Sequence, residues 1–451
     1  MKLSQAQWRT LFVVWLTYGA FYLCRVNIGP ARVEIERGFG LDALEMGLVL
    51  GALKIGYAIG QLVNGQLAER FGPKRILLFG MFGSVTACLL FASAGKLVTV
   101  LPSLAGPVNA VVRLVSPHAS LGPAGALLLV VWFANGYFQA GGWPPTVKIM
   151  AGWFTPTERG RMMGILGTSY QLGSALTIAA SGMLVAIAGN DWRAAFIVPA
   201  VIFGAVGIHA RFRMQERPAP GEAPSIDELS RTTAERDAAT KAGPPARMSI
   251  GETLFITFTN PRIWILALAL FGLDIVRYGF LDWAPGHLKK LHGSGVMLAG
   301  LKVAVFPLAG GLGALASGWV TDRWFQSRRA PVIAVTMGLV GLLTLAFDRV
   351  APLGAVPTVA CLALIGFFLY GAQILLVGTA AQDFAKRGTT AAAAGFVDFM
   401  GYMGAFGGDV VTGWLLKNRN FHAAITFWAT AAIVAAVLSA LLWRARPVTA
   451  D

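Results

Sequence analysis

The chain has 451 residues, 56% of them hydrophobic and 13% charged, with a mean hydropathy of +0.63. So little charge cannot cover a soluble domain of this length, and apolar stretches long enough to cross a bilayer, roughly 20 residues each, recur from Trp8 to Trp443. The net charge of +15 sits in short segments between those stretches, so it reads as a topology signal and excludes a nucleic-acid surface.

The hydropathy pattern predicts helices over 8–36, 44–68, 75–101, 124–153, 161–188 and 193–212. After a break come 260–288, 295–321, 331–348, 355–383, 390–416 and 421–443. The expected class is therefore an all-α membrane protein with twelve transmembrane helices. Residues 214–250 are rich in Pro, Ala, Glu, Arg and Thr and cannot form a core, which predicts a flexible linker. It divides the chain into an N-terminal six-helix half, 1–213, and a C-terminal six-helix half, 251–451. Residues 96–123, with Pro102, Pro107, Pro117 and Pro123, read as an excursion on the outer side, with a short amphipathic helix.

Basic residues fall at every second helix boundary: Lys2 and Arg9; Arg70, Lys74 and Arg75; Arg159 and Arg161; Arg211, Arg213 and Arg217. The second half continues with Arg323, Arg328 and Arg329, then Lys386 and Arg387, then Arg444 and Arg446. All can share one side, which the positive-inside rule makes the cytoplasm, with both termini inside. Cys24, Cys88 and Cys361 lie apart in apolar segments, which argues against disulfides and metal spacing. No catalytic constellation and no nucleotide motif stands out, so neither an enzyme nor a cofactor or metal is expected, and the longest polar stretch is too short for a separate catalytic domain. All five histidines, His118, His209, His287, His292 and His422, read as surface residues.

The two halves repeat a pattern. GQLAERFGPKR (65–75) follows the second helix, and GWVTDRWFQSRR (318–329) follows the second helix of the other half. Each has a glycine, an acid–arginine pair (Glu69–Arg70, Asp322–Arg323) and a basic cluster opening the next helix. Such duplication is expected of transporters whose halves rock around a midplane site. The first copy resembles the signature loop of the major facilitator superfamily, with Glu69 at its usual Asp position. On that resemblance Glu69, Arg70, Asp322 and Arg323 are expected to form a gating charge network at the helix ends.

Ionisable residues inside the membrane are the most informative, since each costs roughly 2.5–3.5 kcal/mol or more without a cavity or partner. Arg25 lies in the first helix of one half and Arg277 in the first helix of the other. A two-fold relation brings both to the midplane, where planar guanidiniums suit phosphate or carboxylate. Tyr22 and Tyr18 share a helix face with Arg25.

YLCRVN (22–27), GGWPPTVKIMAGWFTPTERG (141–160), RYGFLDWAPGHLKK (277–290), IGFFLYG (365–371) and AAAAGFVDFMGYMGAFGG (391–408) resemble the organophosphate:phosphate antiporter family, which includes bacterial glycerol-3-phosphate and hexose-phosphate transporters. The resemblance covers nearly the whole chain, apart from the linker and residues 96–123. It implies that Arg25 and Arg277 bind phosphate, that Tyr18, Tyr22, Tyr370 and Tyr402 line the pathway, and that Trp143 is the tryptophan of the GWPP element. It implies exchange against inorganic phosphate, by rocking of the halves, in a bacterial inner membrane.

Departures from the family pattern remove positive charge and add negative charge. Gln61 stands in place of a lysine, Tyr170 of a histidine, Val26 of a lysine and Asp274 of a tyrosine, while Asp398 replaces a small residue. Lys54, two turns before Gln61, can partly restore the cation. Three readings of Asp274 stay open: a brace for Arg277, a partner for an ammonium on a zwitterionic phosphate or phosphonate, or a protonatable coupling group. The same readings apply to Asp398. Asp282 is expected to brace the helix end and Asp409 to sit at the pathway edge. Two other functions fit the same sequence: a proton- or cation-coupled organic anion carrier, and a transporter-like sensor of phosphate esters. The expected partners are a small anionic or zwitterionic phosphate or phosphonate, inorganic phosphate and the lipid bilayer, with no nucleic acid and a monomeric chain.

Overall fold

The computed structural model describes residues 3–117, 119–154, 156–218, 250–325, 328–380, 384 and 390–445. Among them there is no strand. Twelve long helices build the molecule: α1 (Gln5–Phe39), α2 (Ala43–Phe71), α3 (Pro73–Ala92), α4 (Pro123–Trp153), α5 (Pro156–Ile187) and α6 (Ala194–Arg213). The second half contributes α7 (Pro261–Leu291), α8 (Val296–Trp324), α9 (Arg329–Val350), α10 (Ala355–Ile374, continued as Leu375–Ala380), α11 (Thr390–Asn418) and α12 (Phe421–Leu441). Eleven are long and apolar enough to cross a membrane. The twelfth, α11, is 29 residues long and carries Asp398 and Asp409. The all-α, twelve-helix architecture expected from sequence is thus observed.

Three of these helices are interrupted near their middle, and proline chemistry locates each break. The sequence predicts one continuous helix over 8–36. The chain instead leaves the α-helix after Ala20, tightens over Phe21–Cys24 and restarts at Ile28. Pro30 has no N–H for the carbonyl of Val26, so a continuous ladder is impossible there. In α4 the break falls between Gln139 and Trp143, ahead of Pro144 and Pro145. In α7 the turns widen over Gly279–Trp283, just ahead of Pro285.

The close contacts repeat between halves. A Cβ on Gly60 would lie 2.7 Å from the carbonyl oxygen of Tyr137, and one on Gly313 would lie 1.8 Å from that of Phe367. The interval from Gly60 to Gly313 equals that from Gly65 to Gly318 and from Glu69 to Asp322, so contacts and repeated loop share one register. Across the halves, α2 runs along α11 and α5 along α8. The segment Ile28–Phe39 of α1 packs on α7 and α8, whereas Gln5–Ala20 packs on α4, α5 and α6 of its own half. Likewise Pro261–Tyr278 packs within its own half, on α10, α11 and α12. The halves are therefore joined at the end away from the termini and part towards the end that carries them.

Loop 96–123 does contain a short helix, Ala105–Val115, which seats Val108 and Val112 against Leu44, Leu48, Leu121 and Ala126. Most of the expected linker lies outside the described residues. Its first residues are fixed, however: Trp153 donates to the Gln215 carbonyl at 3.0 Å, and the Glu216 carboxylate accepts the Lys74 N–H at 2.9 Å at the start of α3. A carboxylate is favoured there because the first helical N–H groups lack partners. Of the histidines expected at the surface, His422 is exposed. His287 is half-buried, stacked on Phe421 at 3.5 Å, and His292 contacts the Ala351 carbonyl and Lys302. His209 is half-buried as well, and His118 lies outside the described residues.

Candidate functional site

The break in α1 creates the first half of the site. Unwinding after Ala20 frees the Cys24 carbonyl, which accepts from the Asn135 side chain at 2.8 Å and from Gln139 at 3.4 Å. Asn135 and Gln139 are fixed in turn by Ser84, at 2.5 and 2.7 Å. Gln139 then turns its oxygen to Arg25, whose Nε donates to it at 3.0 Å. The guanidinium lies between two rings, 4.7 Å from Tyr22 and 4.6 Å from Tyr57. Arg25 is 3% exposed and its Nη2 has no hydrogen-bond partner. Among the described residues no carboxylate pairs with it: neutral groups and aromatic faces hold the charge.

Arg277, in α7 just before the widened turn, is held differently. Its Nη1 reaches Asp274, one turn earlier, at 3.5 Å, and its guanidinium lies 5.0 Å from the Tyr278 ring and 5.4 Å from the Tyr370 ring. Its Nε is buried without a partner. Gly401 of α11 makes room for the acid, since a Cβ there would lie 2.7 Å from Asp274 Oδ2.

The two arginines are linked by rings. Tyr57, beneath Arg25, stacks on Tyr402 at 4.1 Å, and Tyr402 meets Tyr278, beneath Arg277, at 6.2 Å. A second cluster closes the N-terminal side: Tyr18 lies 5.0 Å from Trp143, and Tyr22 stacks on Tyr170 at 5.9 Å. Of the eight tyrosines in the chain, seven belong to these clusters or contact the two arginines. That is far from a random scatter of amphipathic rings over twelve helices.

Between α2 and α11 the site is layered. Nearest the terminal end, Gln61 donates to Asp398 at 2.6 Å. One turn on comes the Tyr57–Tyr402 stack. Next, Lys54 is buried between Asp282 at 2.6 Å and Asp409 at 2.7 Å, with Trp283 donating to Asp409 at 3.0 Å. Beyond it Arg32 pairs with Glu36 and lies 4.6 Å over the Trp283 ring, while Lys289 pairs with Glu34 across the halves. At the far rim Lys417 meets Asp42 at 2.7 Å.

The structure thus brings together Arg25, Arg277, Tyr18, Tyr22, Trp143, Tyr170, Asp274, Tyr370, Asp398, Gln61 and Tyr402, named from sequence. Lys54 is the departure. Expected on the open substrate face, it is taken up by two carboxylates, so its charge joins the halves instead of being left for a ligand. Asp282 and Asp409 are its partners, which is a tie between halves rather than a helix-end brace or a pathway edge. Sequence reading missed Tyr57, Tyr278, Ser84, Asn135 and Gln139. A signal existed for the last three, since Ser84, Asn135 and Gln139 are polar residues within apolar runs. Of the gating residues, Arg70 and Arg323 are exposed, and the side chains of Glu69 and Asp322 lie outside the described residues. Lys148 donates to the Ala68 carbonyl at 3.1 Å, which sets a cation of α4 beside that end of α2. Among the described residues no three metal-ligating side chains converge.

Comparison with known proteins agrees with this geometry. The chain is 28% identical to the glycerol-3-phosphate transporter of Bacillus subtilis over 435 residues, covering 95% of this chain and 90% of that protein. It is 26% identical to the membrane sensor protein UhpC of Escherichia coli, covering 91% and 86%. In fold it is similar to a bacterial homologue of the human lysosomal transporter Spinster in an inward-facing, unoccupied conformation, with a TM-score of 0.73, 15% identity and full coverage of both chains. Residues 14–409 match the sequence profile of the Major Facilitator Superfamily. Helix count, duplicated halves and profile agree, and this multi-pass membrane protein belongs to the Major Facilitator Superfamily.

Proposed function

We propose that the chain exchanges an organic phosphate or phosphonate for inorganic phosphate across a bacterial inner membrane, by alternating access around Arg25 and Arg277. One observation carries the reading: two buried guanidiniums, one from each half, each retain a nitrogen without a partner. A phosphoryl group offers the acceptors that those donors lack, and bidentate charge-assisted bonds to guanidinium are strong. Bridging the two arginines draws the halves together, which is the differential contact that a rocking carrier needs. The relative named for glycerol-3-phosphate transport supports the choice of phosphate over carboxylate. The basic clusters support a cytoplasmic setting for the parted, terminal end of the molecule, and on that reading this conformation faces inward. The 1–213 and 251–451 halves act as the two moving bodies of a monomer, with 214–250 as their tether.

The test is counterflow in proteoliposomes loaded with unlabelled inorganic phosphate, following entry of radiolabelled phosphate. Saturable entry that organic phosphates inhibit is the expected result. Entry that needs a proton gradient and ignores internal phosphate would select the proton-coupled anion carrier instead, a reading favoured by Asp398, whose carboxylate meets only a neutral amide among its described partners. Saturable binding without any entry would select the sensor, the function named for the Escherichia coli relative.

A further inference from the structure

Resting on that reading, the balance of charge in the centre narrows the substrate class. The buried midplane holds three cations, Arg25, Arg277 and Lys54. Facing them are four carboxylates: Asp274, Asp282 and Asp409, which are buried, and Asp398, which is half-buried. Lys54 is consumed by Asp282 and Asp409, and Asp274 already engages Arg277. Fully ionised, the cluster carries one more negative than positive charge before any substrate enters. A site for a plain dianion gains nothing from that surplus, since each unpaired buried acid repels the ligand.

Asp398 stands outside these ion pairs. Its Oδ2 accepts from the neutral Gln61 amide, and among the described residues no cation pairs with it. It stands one helical turn from Tyr402, about 6 Å along α11, and Tyr402 stacks on the ring under Arg25. The acid therefore lies on the parted side of the arginine layer, within reach of the far end of a short ligand whose phosphoryl group sits at the guanidiniums.

We propose that the substrate is zwitterionic, an organic phosphate or phosphonate bearing an ammonium a few atoms from phosphorus, and that Asp398 is the residue that selects the ammonium. The ligand's phosphoryl group meets Arg25 and Arg277 and its ammonium meets Asp398, so that each end of the ligand faces groups of opposite charge. A neutral Asn at this position would still accept a hydrogen bond but would not discriminate in favour of charge.

The probes are 2-aminoethylphosphonate and ethylphosphonate, which differ in the ammonium. Each is titrated calorimetrically into the purified full-length chain, alongside inorganic phosphate, and each is used to compete with labelled phosphate in counterflow. The expected result is a preference of about 10–100-fold for the amino compound, the range that a charge-assisted hydrogen bond confers. Asp398→Asn collapses that ratio towards one, whereas a merely structural role would weaken both probes alike. Equal binding of the two probes by the unaltered protein overturns the proposal without any variant, as does an unchanged ratio in Asp398→Asn. If phosphate and ethylphosphonate bind but the ammonium confers nothing, phosphate exchange stands and this inference falls. If neither phosphonate nor phosphate binds, the exchange reading itself falls, and this inference with it.

Discussion

Two buried charge clusters lie between the halves of this molecule, and they are built on opposite principles. Around Lys54 the cation is fully engaged: two carboxylates flank one ammonium, and a tryptophan N–H steadies the second acid. Around Arg25 the charge is answered by an amide and two rings, with one nitrogen left over. A buried ion without a counter-ion is costly, so its retention in an otherwise apolar span indicates a partner that comes and goes. The saturated cluster holds the halves together at one end, and the unsaturated one, at the centre, is where the proposed exchange would seat its ligand. Burial alone does not separate the two roles; what differs is the partner set.

The comparison is broken most forcefully by removing Lys54. Lys54→Met leaves Asp282 and Asp409 facing each other in a dry interface, which costs about 3–5 kcal/mol. Thermal unfolding in detergent should show a large fall in Tm, partly restored by adding Asp409→Asn. A Tm within a degree or two of the unaltered protein would show that the cluster is not a tie. Arg25→Ala should have the converse effect. It removes a charge that no carboxylate pairs with among the described residues, so the fold and membrane insertion persist while phosphate binding weakens by about 100-fold or more, in line with loss of charge-assisted bonds worth about 1.5–3 kcal/mol each. Exchange at the normal rate in Arg25→Ala would refute the central site.

How much of this was legible beforehand follows the same division. Helix count, the two halves and Arg25 with Arg277 could be read directly, because apolar length and intramembrane charge are properties of the chain taken one residue at a time. The partners could not. Lys54 and Asp409 are far apart in sequence, and only the packing of α2 on α11 brings them together, helped by Gly47, where a Cβ would lie 2.5 Å from the Asp409 carbonyl oxygen. The break in α1 was also missed. Its first residues, Phe21–Cys24, are as apolar as their neighbours, and the clue, Pro30, sits four residues beyond Val26, whose carbonyl it leaves free. Seen in advance, that proline would have predicted the break, though not Asn135 and Gln139, which satisfy the carbonyl of Cys24 instead.

Two smaller effects sharpen the contrast between the arginines themselves. Gln139→Leu removes the one side-chain acceptor for Arg25 Nε, and it should weaken phosphate binding by about tenfold through loss of orientation, since a hydrogen bond to a charged group contributes about 1.5–3 kcal/mol. If binding of phosphate is unchanged while Tm falls, Gln139 serves only the Cys24 carbonyl and the break in α1.

Asp274→Asn is the mildest change, and its sign carries the information. At 3.5 Å the Asp274–Arg277 contact is long for an ion pair with charge-assisted geometry, so little is lost by neutralising the acid. Whatever hold the carboxylate has on Arg277 must be given up or shared when a phosphoryl group arrives, and the incoming anion also feels its charge. Removing that charge while keeping an amide of the same shape should therefore tighten inorganic phosphate by about fivefold, near 1 kcal/mol. The half-saturating phosphate concentration in counterflow is the readout. A rise instead of a fall would mean that Asp274 positions the guanidinium and that its orientation outweighs its repulsion. Arg277 would then resemble Arg25 in needing a fixed partner, and the difference between the two halves would lie in the charge of that partner alone.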